Sequence, residues 1–149
     1  MKRAYQLPIL LIMLTAVIGL GFVKMSQPTQ PKTLKLIPMM RLLLSDANKM
    51  NKGIYTENYS LIHEGAKGIA HHPGMTQSDK TLIQQSLDKD FKQFVKFDMT
   101  VHHHADSIAA AAQAQNMDEV LRHYQIVQKG CVDCHSHFRQ RIIQAKNNK

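Results

Sequence analysis

The two cysteines of this chain stand three positions apart near its C-terminus, in Cys131-Val132-Asp133-Cys134-His135. No other stretch restricts the fold as much. Cysteine, two residues, cysteine and histidine is the attachment signature of c-type haem. Two thiols at that spacing can each add to one vinyl group of a single porphyrin. The residue that follows then lies over the ring and can bind iron as an axial ligand. Whatever fold the chain adopts has to hold a porphyrin against this segment.

Three other uses of the pentapeptide fit less well. A thioredoxin-like pair belongs to a βαβ pattern, and none surrounds it. A zinc site from Cys131, Cys134 and either His135 or His137 lacks the second, separated ligand pair of closed structural sites. A disulfide across two residues would close a tiny loop and stabilise little. Since these are the only cysteines, no structural disulfide is available elsewhere.

The 149 residues suffice for one domain behind a leader. Absence of tryptophan, seven glycines and the alanine-rich run Ala109 to Ala114 favour an all-α chain. The formal net charge is +8. Lys2, Arg3 and Lys24 flank the first apolar run, and no acid precedes Asp46, so the remainder carries 16 basic against 11 acidic residues. Two haem propionates would lower that excess further. No basic stripe interleaved with aromatics is present, which argues against nucleic-acid binding.

Leu7 to Val23 is apolar and uncharged over 17 residues, behind a positive start. That length lies between a signal-peptide core and a transmembrane helix. Residues 1–24 therefore read as a signal peptide or a membrane anchor, and either one exports the rest. Residues 25–38, with Pro28, Pro31 and Pro38, read as a linker, and 39–149 as the folded domain.

Within the domain, apolar residues recur every three or four positions. A first helix from Leu34 or Pro38 to Lys52 carries the stripe Leu36, Met40, Leu43, Ala47, Met50, Ile54, with Gly53 as its C-terminal cap. A second spans about Glu57 to His71. Thr76 to Asp79 has the threonine and acid spacing of a helix start. A long third helix follows, bent near Asp88 and broken at Gln115-Asn116. The fourth, from Met117, carries Val120, Tyr124, Val127, Cys131, Cys134, Phe138 and Ile142 on one seam, which places the haem motif on its buried face. Short turns between four such helices predict an antiparallel four-helix bundle around the cofactor.

With those residues in place, the chain resembles the cytochrome c′ family, the class II c-type cytochromes. The likeness runs from about Leu36 to Ile142 and is sharpest at Cys131-x-x-Cys134-His135-x-x-Phe138-Arg139. Members carry the motif near the end of the fourth helix, whereas class I cytochromes carry it near the N-terminus. The resemblance implies one haem c held by Cys131 and Cys134, with His135 as proximal ligand. Arg139 would lie beside the proximal face or a propionate. The sixth coordination position would face the first helix, where low-spin members place a methionine and high-spin members an apolar side chain. Met40 falls there, with Met39 as its substitute. A methionine on an apolar stripe is otherwise core filling.

Nine histidines invite attention. His102, His103 and His104 point in directions 100° apart on a helix, so at most two share a face. His102, next to Val101, is a rival axial ligand or a pocket residue; the plainer reading is a solvated or hydrogen-bonded histidine. His63, His71, His72 and His123 take the plainer reading too, and His137 offers adventitious metal binding. Asp98, beside the third-helix seam, suits an ion pair or a proton-transfer role.

No nucleophile–base pair or acid pair is evident, so the chain reads as a carrier rather than an enzyme. The expectation is an exported, periplasmic monohaem cytochrome, soluble or anchored, that passes single electrons between redox partner proteins. The alternative is a five-coordinate protein that binds or buffers nitric oxide or carbon monoxide. A haem-free metal-binding module is a third, remote option. Members of the family pair through their first two helices, but this stripe shows no second apolar face that demands a homodimer.

Overall fold

A computed structural model describes residues 32–148. The expected leader or anchor and the first part of the linker lie outside the described residues. Five α-helices follow one another: α1 (Leu36–Tyr55), α2 (Tyr59–Ala70), α3 (Gln77–Leu87), α4 (Phe91–Gln113) and α5 (Met117–Asn147). α1, α2, α4 and α5 form a four-helix bundle, and α3 lies against α5.

Each boundary has a local cause. Glu57 takes φ 50°, and the Asn58 side chain then accepts the Leu61 N–H at 3.1 Å to start α2. Gln115 takes φ 53°, and Asn116 caps α5 by accepting from Glu119 N–H at 3.1 Å. The expected long third helix is cut in two at Asp88, whose φ is 47°. A short 3₁₀ turn, Asp88–Asp90, links the halves. Arg141 of α5 fastens this turn, bonding Asp90 at 2.7 Å and the Ser86 and Leu87 carbonyls at 3.2 Å.

Gly53 does not cap α1, which runs on to Tyr55. It is buried within the helix, and a Cβ there would lie 2.7 Å from the Ile62 nitrogen and 2.8 Å from Ile62 Cγ1. The glycine exists for close approach of α2, not for a left-handed turn.

The start of α1 is also made by a distant residue. Lys35 offers no side-chain cap, and the Leu36 N–H instead donates to Asp79 Oδ2 at 2.7 Å. Asp79 itself belongs to the predicted helix start of α3, where Thr76 Oγ1 accepts the Asp79 N–H. One buried carboxylate thus serves two helix N-termini. Alongside it, Thr33–Leu34 (β1) pairs in parallel with Gly74–Met75 (β2). Residues 33–38, expected as linker, therefore belong to the fold.

The larger core joins α1, α2, α4 and α5 through Met50, Ile62, Ile108 and Val120, all fully buried. Ala105, Ala109 and Ala112 keep α4 narrow on that side, so α2 can lie close. A second cluster, Ile83, Leu87, Phe138 and Ile142, fixes α3 to the far half of α5.

Candidate functional site

Three seams of the bundle are closed: α1 with α2, α2 with α4, and α4 with α5. The fourth is not. α1 and α5 run antiparallel and are joined towards both ends. At one end the Tyr124 hydroxyl donates to Asn51 Oδ1, and Gln128 Nε2 donates to the same hydroxyl at 2.6 Å. At the other, Leu36 packs against the Phe138 and Ile142 cluster. Between these points lie two cavities of about 330 and 640 Å³. Met40, Leu44, Asp98, Cys134 and His135 line both, so the two are parts of one groove.

α5 supplies one wall. Its stripe is buried at Val127 and again at Phe138, but between them Cys131 and His135 are exposed and Cys134 is half-buried. The motif therefore faces the groove, on the same helical seam that packs at Val127 and Phe138. The reason is geometric: α1 stands off over this stretch, so the same helical face that packs above and below opens here onto a cavity. Burial pushes the Cys134 thiol up to about 11, with Asp98 and Cys131 adding to it, and burial raises Cys131 as well. Redox-active and nucleophilic cysteines have depressed values. Thiols shifted upward lack the depressed value of a thioredoxin-like pair.

α1 supplies the facing wall and separates the two methionines. Met39 is 2 % exposed and reaches only the second cavity. Met40 is 36 % exposed and lines both. Leu44, one turn on and 62 % exposed, does the same. Phe97, Asp98 and Val101 of α4 form the floor of the first cavity.

Arg139 lines the second cavity, is exposed, and makes no ion pair among the described residues. Arg41 lines it too, a residue the sequence reading passed over. Its only signal was its place beside Met40 on α1.

The donor set fits a haem c. Two thiols at i and i+3, an imidazole at the next position and a facing thioether all open onto one largely apolar groove, with two guanidinium groups along its second half.

The histidines mostly fall away from the groove. His63 Nδ1 bonds the Ala109 carbonyl at 3.1 Å. His71 pairs with Asp106 at 2.9 Å, and His104 with His123 at 2.7 Å. Burial is the main cause that lowers the His123 pKa, with Arg122 and His104 adding to it. His137 bonds the Asp133 carbonyl at 2.7 Å and lies against Phe97. His102 lines neither cavity; its Nδ1 bonds the Ala70 carbonyl at 2.6 Å. A role as rival axial ligand does not fit that placement. Among the described residues no helix is long and apolar enough to cross a membrane.

A family model described as cytochrome C′ matches residues 33–139. No curated protein and no solved structure matches the chain.

Proposed function

The chain belongs to the cytochrome c′ family, whose members bind one covalent haem c, and we propose that it carries single electrons between redox partner proteins. Haem, when bound, supplies the Fe(III)/Fe(II) couple. The residues of the chain hold and tune it. Cys131 and Cys134 would form the thioether links, and His135 would bind the iron from α5. Met40 offers its thioether from α1, a ligand that raises the potential. Arg41 and Arg139, which line the second cavity, would pair with the propionates through charge-assisted hydrogen bonds. The largely apolar walls would shield the bound haem from water. We place the protein in the periplasm, since family members are typically exported and the start of the chain has the charge and apolar pattern for export.

One observation carries this reading: His135 of α5 and Met40 of α1 line the same two cavities from facing helices. It is tested by Met40→Ala in the haem-loaded protein. The parent should show the weak band near the red end that marks methionine–iron coordination, and sharp low-spin peaks when reduced. The variant should lose the band and drop in potential. An unchanged spectrum and potential, with Met39 intact, would remove Met40 from the mechanism.

A second reading has its own support. Leu44 lines both cavities beside Met40, and an apolar side chain over the iron leaves a five-coordinate site open to nitric oxide or carbon monoxide. Rapid carbon monoxide binding by the reduced parent protein, with a broad high-spin spectrum, would select it.

A further inference from the structure

At the floor of the groove, where α4 meets the end of α2, His72, Asp98 and His102 converge. One ligand atom from each lies within 4.8 Å of the other two. Asp98 and His102 are one turn apart on α4, with His102 Nε2 3.7 Å from Asp98 Oδ1. His72 comes from the turn after α2, and its ring centroid is 4.7 Å from that of His102.

The tautomers matter more than the proximity. His102 Nδ1 donates to the Ala70 carbonyl at 2.6 Å, and His72 Nδ1 donates to the Pro73 carbonyl at 2.8 Å. A carbonyl accepts and cannot donate, so both Nδ1 atoms carry the proton. In the neutral form of each ring the free lone pair is then on Nε2. Metal-binding histidines are oriented in this way, one nitrogen bonded to a backbone carbonyl and the other turned to the ion. His63 and His137 also bond a carbonyl through Nδ1, but neither has a second imidazole and a carboxylate beside it within ligand distance. A further carboxyl, Asp46 of α1, lies close enough to His72 to feel its charge.

We propose that His72, His102 and Asp98 form a binding site for one borderline divalent transition cation, of which zinc is the representative. Two imidazoles and a carboxylate suit such an ion better than calcium or magnesium, which take oxygen ligands. Zinc bonds of about 2.0–2.2 Å set tetrahedral ligands about 3.4 Å apart, so side-chain rotations of a few tenths of an ångström to about one ångström close the site. His102 and Asp98 side chains are 24 % and 46 % exposed, which leaves an entry path and room for water as the fourth ligand. The residues proposed to hold the haem iron are different ones, and Asp98 links the two centres because it also lines the groove.

The test is a zinc chloride titration of the haem-loaded, metal-stripped full chain, followed by calorimetry. One zinc per chain should bind. His72→Ala, His102→Ala and the near-isosteric Asp98→Asn should each weaken it by about 100-fold or more. His104→Ala, from the other histidine pair, should leave it unchanged. Far-ultraviolet circular dichroism of each variant reports that the fold is retained, and Asp98→Asn removes charge without changing shape. No zinc binding by the parent, equal binding by the Asp98→Asn and histidine variants, or loss of binding in His104→Ala would overturn the proposal.

Discussion

Helix α1 meets α2 on one side and α5 on the other, and the two seams are built for different ends. Towards α2, glycines stand where the helices cross: a Cβ on Gly65 would lie 2.6 Å from the Asp46 carbonyl oxygen and 2.7 Å from the Met50 nitrogen. Met50 and Ile62 are buried almost completely on that side. Towards α5, the same helix turns out Met40 and Leu44, joins its neighbour only towards the ends, and leaves a groove between. Close packing on one face makes α1 rigid enough to hold a side chain over the other. A site that must admit a large planar group can then remain open without loosening the bundle.

That contrast can be broken or sharpened by substitution. Ile62→Ala in the closed seam should cost about 4 kcal/mol in denaturant unfolding, as a fully buried branched side chain is lost and a cavity is left. The haem spectrum of the folded variant should not move; a shift towards high spin would mean that the two faces of α1 are not independent. Gly65→Ala should cost about 2–3 kcal/mol, because the atoms it meets are backbone and cannot swing aside. Tyr124→Phe removes the bond that closes one end of the open seam and should cost about 1 kcal/mol. A larger loss would show that this single contact, and not the packed ends, holds α1 to α5.

The smallest effect lies outside both seams. Asp106 of α4 bonds Lys67 of α2 at 3.1 Å and His71 at 2.9 Å. Burial works to raise its pKa, but Lys67 and His71 outweigh it and the carboxyl titrates below its ordinary value of 3.8. The unfolded chain therefore takes up the proton first as pH falls. The stabilisation is full above the unfolded value and is lost as pH drops through the folded one. Asp106→Asn should cost less than about 1 kcal/mol at pH 7, since the pair is half exposed, and the difference from the parent should vanish in acid melts. A difference that persists at low pH would trace the effect to packing.

Helix identities and most of their ends were legible because their signals are short. Asn58, Thr76 and Asn116 each bond a backbone N–H three residues on, and that spacing is visible in a string of letters. The break at Asp88 was visible only as a bend, because the Arg141 contacts that fasten it come from 51 to 55 residues away. Gly53 was misread for a related reason. A glycine near a helix end looks alike whether it turns the chain or admits a neighbour, and only the position of Ile62 separates the two.

The sequence by itself determined that this is an all-α chain and singled out Cys131 and Cys134 as the candidates for porphyrin attachment, because helical periodicity and the Cys-x-x-Cys-His spacing are properties of adjacent residues. Only the tertiary structure decided which residues face that porphyrin's groove. Met39 and Met40 differ by 100° around α1, and their letters are the same. Met39 lies on the buried stripe that continues through Asp46, Met50 and Gly53 and touches only the second cavity, whereas Met40 is turned out onto both. Asp79 was likewise readable as the start of its own helix but not as the cap of α1, 43 residues earlier. Long-range neighbours set such roles, and no window of sequence contains them.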